Sequence, residues 1–137
     1  MRTLHCCILC IAVLIVPISA SACSCLRPTV KEGLKYADIA FRGELIEQRG
    51  ALAVFRVDEI WKGHLKHHVS FQWRIGSHGD CDGFWPKLLK EGNNVLLFGI
   101  WDERGFYKAD ICLPQKLVSD ADADLQELGQ GKPPESK

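Results

Sequence analysis

The chain has 137 residues, with 17 basic and 17 acidic side chains and a formal net charge of zero. A chain of this length makes one domain. The balanced charge argues against nucleic acid or an anionic membrane surface as the main partner.

The first segment reads as a secretory signal. Arg2 is followed by an apolar run from Cys6 to Val16, then Pro17, and Ala20-Ser21-Ala22 is a small-x-small cleavage site. The run is too short to span a bilayer. Residues 1–22 are therefore expected to be removed, leaving about 115 residues beginning at Cys23, with 16 basic and 17 acidic side chains. Three cysteines leave with the signal. Cys23, Cys25, Cys81 and Cys112 remain, and an even number in an exported chain implies two disulfides with three possible connectivities. In an extended segment Cys23 and Cys25 point the same way. A bridge between them would close a strained ring, so each is expected to reach a distant partner. Such bridges close loops of about 60 and about 90 residues, each worth roughly 4 kcal/mol by chain entropy. Cleavage also gives Cys23 a free α-amine. Its nitrogen and the Cys23 carbonyl oxygen form a five-membered chelate geometry able to cap a metal ion on another protein.

The remaining elements read mainly as β. Thr29 can cap a short helix over Val30 to Tyr36. Asp38 to Glu47 is a strand in which Gly43 suggests a bulge or bend. Arg49-Gly50 is a hairpin turn into a second strand, Ala51 to Ile60, ended by Trp61-Lys62-Gly63. Val69 to Trp73 alternates apolar and polar residues as a third strand. A glycine-rich loop, Gly76 to Gly83, carries Cys81. The apolar run Val95 to Ile100 implies a strand buried on both faces. Glu103-Arg104-Gly105 turns into Phe106 to Ile111, with Cys112 at that strand's end and Pro114 as a stop. Ser119 has the position of an N-cap for a helix running to Leu128, with acids in its first turn. Gly129 to Lys137 is polar and rich in glycine and proline, and is expected to be a disordered tail. The fold expected is a small five- to six-stranded closed barrel of the OB type with short flanking helices, spanning residues 23–128.

Several residues invite chemical readings that their surroundings do not support. His64, His67 and His68 have no further ligand placed with them and read as solvated side chains. Asp120, Asp122 and Asp124 imitate the start of a calcium loop, but Leu125 and Gly131 stand where the loop needs glycine and glutamate. His78 near Cys81 could suggest a thiolate–imidazole pair, which a disulfide at Cys81 forbids. Trp61, Trp73, Trp85 and Trp101 could stack on sugar or bases, but without a basic groove they read as core and rim residues. No catalytic constellation is expected, and no cofactor of the chain's own.

The order of these pieces carries a resemblance. Cys-x-Cys at the mature start, Ala37-Asp38-Ile39-Ala40-Phe41-Arg42-Gly43, Val57-x-x-x-Trp61-Lys62-Gly63, Gly79-Asp80-Cys81-Asp82, Val95-Leu96-Leu97-Phe98 and Cys112 together resemble the netrin-like domain. Within that superfamily the chain is most similar to the N-terminal domain of the tissue inhibitors of metalloproteinases, over nearly its whole mature length. The resemblance implies the pairings Cys23–Cys81 and Cys25–Cys112. It implies a secreted inhibitor of zinc metalloendopeptidases whose Cys23 amine and carbonyl chelate the zinc of the partner protease. Ser24 would enter the specificity pocket, Cys25 and Leu26 would follow the cleft like substrate, and Asp80, Cys81 and Asp82 would lie beside them.

The chain departs from the animal inhibitors in several places. Four mature cysteines are expected rather than the six of that domain, and no counterpart of the disulfide-rich C-terminal subdomain is expected. The Arg49-Gly50 turn is short, and Leu26-Arg27-Pro28 is not the usual run after Cys-x-Cys. Two other roles compete with inhibition. One is a secreted netrin-like interaction module without a protease target. The other is a membrane lipoprotein lipidated at Cys23, since Ser21-Ala22-Cys23 suits the end of a lipobox although Ala20 stands where leucine is usual.

Overall fold

The computed structural model describes residues 25–73 and 81–136. Helix α1 spans Val30–Tyr36 and starts where the sequence places it. Thr29 accepts a hydrogen bond from the Glu32 amide, and Glu32 reaches back to the Thr29 amide, a complete capping box. Strands β1 (Ile39–Arg49), β2 (Leu52–Lys62), β3 (His68–Gln72), β4 (Asn94–Asp102), β5 (Phe106–Ala109) and β6 (Gln115–Leu117) follow, with a 3-10 turn at Pro86–Leu88. A second 3-10 turn, Val118–Asp120, leads into helix α2, Asp122–Leu128.

The strands join in the order β1-β2-β3-β5-β4, and β4 pairs back onto β1 to close a five-stranded barrel. The single β3–β5 pairing, Phe71 with Tyr107, is parallel and the other pairings are antiparallel. Strand β6 is the sixth, added to β4 at Val95–Leu97 beyond the end of β5. The architecture is therefore the mainly β, OB-like closed barrel with short flanking helices that the sequence implies.

Closure requires β1 to bend. Its register against β2 shifts between Arg42 and Gly43, and a Cβ on Gly43 would stand 2.2 Å from the Arg56 carbonyl oxygen. Only glycine allows the backbones to meet there.

Two apolar clusters flank β4. The barrel interior holds Phe41, Phe55, Phe71 and Phe84, with Phe55 and Phe71 edge-to-face at 5.6 Å and Phe71 and Phe84 at 5.5 Å. Val95 and Leu97 project into this cluster. Leu96 and Phe98 project the other way, onto Val30 and Ala37 of the α1 region and Ala121 before α2. Burial on both sides explains the continuous apolar run of β4. Each fully buried Val, Leu or Phe side chain contributes roughly 1.5–3 kcal/mol of transfer free energy.

Three expectations are corrected. The chain after Pro114 forms β6, because Gln115–Leu117 finds the free edge of β4. Helix α2 begins at Asp122 with Ala121 as its uncapped N-terminal residue, and Ser119 lies in the preceding 3-10 turn with its hydroxyl directed to Asp120. The segment after Leu128 is not a disordered tail. Lys132 exchanges two backbone hydrogen bonds with Ile60 (2.7 and 2.8 Å), Glu135 donates to the Leu65 carbonyl, and the Trp61 indole donates to the Gly129 carbonyl. The end of β2 supplies unpaired backbone groups, and satisfying them outweighs the polar composition of the segment.

Candidate functional site

The described part of the cysteine-bearing edge is built from three strands of chain. Cys25 is bridged to Cys112, with Cα atoms 5.2 Å apart and a sequence separation of 87. This bridge pins the segment before α1 to the chain just past β5. The mid-chain loop is laid along the same place. Ile111 donates to the Cys81 carbonyl at 2.8 Å and Gly83 donates to the Ala109 carbonyl at 2.7 Å, with Asp82 opposite Asp110. Cys25 and the Cys81 loop are thus both attached to residues 109–112. Cys81 is itself disulfide-bonded. The expected Cys23–Cys81 pairing lies outside the described residues, as do Ser24 and Asp80.

Side chains lock this arrangement. Gln115, 6 % exposed, is the only buried polar side chain among the described residues. Its amide nitrogen donates to the Gly83 and Asp110 carbonyls at 2.9 and 2.8 Å, and its oxygen accepts from the Trp85 amide at 3.2 Å. All three bonds tie the loop after Cys81 to β6 and to the chain before Cys112. Asp110 accepts from the Cys112 amide at 2.8 Å, fixing the turn that presents that cysteine. Lys108 on β5 donates to Asp82 at 2.9 Å. That hydrogen bond, ahead of the attraction of the neighbouring carboxylates, raises the Lys108 pKa above its ordinary value. Asp82 is therefore anchored inward rather than presented as a free anion.

Of the residues expected to meet the protease cleft, Cys25, Leu26, Cys81 and Asp82 are described. Leu26 is 97 % exposed immediately after the bridged cysteine. Sequence reasoning missed Gln115. Its only signal was a polar residue directly after Pro114, at a point where the chain was expected to stop rather than to pair.

The remaining candidates fall elsewhere. His64 meets Glu135 at 2.6 Å, and His67 and His68 are exposed. No group of three or more metal-ligating side chains occurs among the described residues. Trp61, Trp73 and Trp85 are partly buried against the two clusters, whereas Trp101 is half exposed at the end of β4, edge-on to Tyr107 at 4.9 Å.

No model of a known protein family matches the chain, and no curated protein matches it. The physical reading of the site therefore rests on the geometry and on the order of motifs.

Proposed function

We propose that the chain, cleaved before Cys23 and exported, inhibits zinc metalloendopeptidases by presenting its terminus to their active-site cleft. The observation that carries the reading is the double attachment of residues 109–112, to Cys25 by a disulfide and to the Cys81 loop by backbone pairing. A segment held in this way loses little freedom on binding, and low ordering cost is what gives a small rigid edge its affinity.

The chemistry follows from the terminus. A catalytic zinc keeps one position open for water. The Cys23 α-amine and carbonyl oxygen would replace that water. The amine titrates near pH 7.7–8.0 when unperturbed, so it would lose a proton on binding the partner's metal. Ser24 would occupy the adjoining specificity pocket, and Cys25 with the exposed Leu26 would extend along the cleft as substrate does. Asp80, Cys81 and Asp82 would flank it. Because the carbonyl at the metal belongs to a stapled edge, no scissile bond is offered.

Protein beginning at Cys23, assayed against a panel of zinc endopeptidases, tests this directly. Inhibition that disappears when one alanine precedes Cys23 supports it. Inhibition of no panel member, or a diacylglycerol adduct on Cys23 in the mature protein's mass spectrum, overturns it in favour of an interaction module or a lipoprotein.

A further inference from the structure

Directly after Leu26 the chain enters a pocket of about 510 Å³ that the inhibitor reading does not use. Its apolar walls include Pro28, Trp85, Pro86, Leu113 and Pro114. The Arg27 guanidinium lies over the Trp85 ring, 5.5 Å from its centroid, at the mouth. Trp85 is a fixed wall, because its amide is held by the buried Gln115 and it leads into the 3-10 turn Pro86–Leu88.

The charges around the rim are uneven. Lys87 pairs with Asp120 at 3.4 Å, and Lys116 pairs with Asp124. Those two pairs neutralise themselves. Arg27 lies over the Trp85 ring and makes no ion pair with a carboxylate among the described residues. An apolar cavity beside one uncompensated guanidinium suits an apolar side chain followed by a carboxylate. A guanidinium stacked on a ring still has its edge donors free for that carboxylate.

We propose that this pocket receives an aromatic or aliphatic side chain with an adjacent acidic residue, supplied by the rim of the bound peptidase beyond its cleft. The inference rests on the inhibitor reading, because Arg27 and Pro28 of the pocket lining directly follow Leu26 of the proposed cleft segment in sequence. It gives the partner a chemistry: peptidases with an acid at that rim are held, and those with a base there are rejected.

Two measurements on the chain beginning at Cys23 test it. In the first, the Trp85 indole resonance is followed during titration with acetyl-Phe-Asp-amide or acetyl-Phe-Asn-amide. Saturable binding of the Asp peptide is expected, about tenfold tighter than the Asn peptide, with the preference lost in Arg27→Ala. In the second, Arg27→Glu is expected to raise Ki by about tenfold against an inhibited peptidase, less at high salt, without lowering Tm. Equal affinity for the two peptides, or no saturable shift at Trp85, overturns the proposal. An unchanged Ki in Arg27→Glu overturns it while leaving the inhibitor reading intact. Failure of the unaltered protein to inhibit any peptidase overturns both.

Discussion

Gln115 donates from its side-chain amide to the Gly83 carbonyl at 2.9 Å, across 32 residues of sequence. That contact and its two companions convert a loop into part of a sheet edge. Gln115→Leu keeps roughly the volume and removes every bond, leaving the Gly83 and Asp110 carbonyls and the Trp85 amide without their partner. A fully buried orphan costs about 1–3 kcal/mol; the Gly83 bond is buried and the other two are partly buried, so a loss of roughly 2–5 kcal/mol in urea unfolding is expected. Amide exchange should accelerate at Gly83 and Trp85 more than at Phe98. An unchanged exchange rate at Trp85 would show that the clasp is not what holds the loop.

Removing the Cys25–Cys112 bridge by the paired change to alanine frees a loop whose ends are 87 residues apart. The chain-entropy argument gives a loss of about 4–5 kcal/mol. The domain should remain a barrel by circular dichroism, with a lower denaturation midpoint. Any inhibitory activity should fall more than stability does, because the presenting segment is released first. Equal losses of the two would argue against preorganisation.

Gly43→Ala places a methyl 2.2 Å from the Arg56 carbonyl oxygen, a backbone atom of the neighbouring strand. Strands β1 and β2 must separate locally to accept it. A destabilisation of about 2–4 kcal/mol is expected, at the upper end of overpacking costs, because backbone yields less than a side chain. Gly92→Ala is the control for φ strain alone, since nothing lies within 4 Å of its added Cβ.

The β4–β5 turn carries an acid-sensitive element. The Asp102 carboxylate accepts from the Arg104 side chain at 2.8 and 3.1 Å and from the Arg104 amide at 2.8 Å. The side-chain hydrogen bonds first, then the backbone one, hold its pKa well below the usual carboxylate range. A folded value below the unfolded one means the contribution is complete above the unfolded value of about 3.9 and fades as pH falls through the lower folded value. Thermal melts should show Asp102→Asn losing less Tm than the parent protein between neutral and strongly acid pH. Equal slopes would mean the turn is indifferent to that charge.

Local signals carried far in this chain. Thr29 and Glu32 are three residues apart, so a capping box could be read directly and is present. The run Val95 to Ile100 announced two-sided burial, and β4 divides two clusters. Gly43 marked a bend, and the register breaks there. The four cysteines from Cys23 onward signalled long-range staples, and Cys25–Cys112 is one of them. What escaped depends on partners distant in sequence. The residues of β6 have no strand pattern of their own and become a strand because β4 leaves an edge open. The closing residues look solvated until the end of β2 is known to lack partners. Ser119 has the chemistry of a cap, but the 3-10 turn carries it past the helix start. Gln115 became legible only when Gly83, Trp85 and Asp110 were brought around it.

Strand β4 hydrogen-bonds to β1, β5 and β6 and divides the two apolar clusters. Its earliest-made partner in the chain, Ile39, has to wait for Gly99 about sixty positions later. Ile39 and Gly99 cannot pair until most of the domain has been synthesised, and long-range pairings of this kind slow folding. Amides at Leu96 and Leu97 should be the last to exchange with solvent, opening only when the whole domain unfolds.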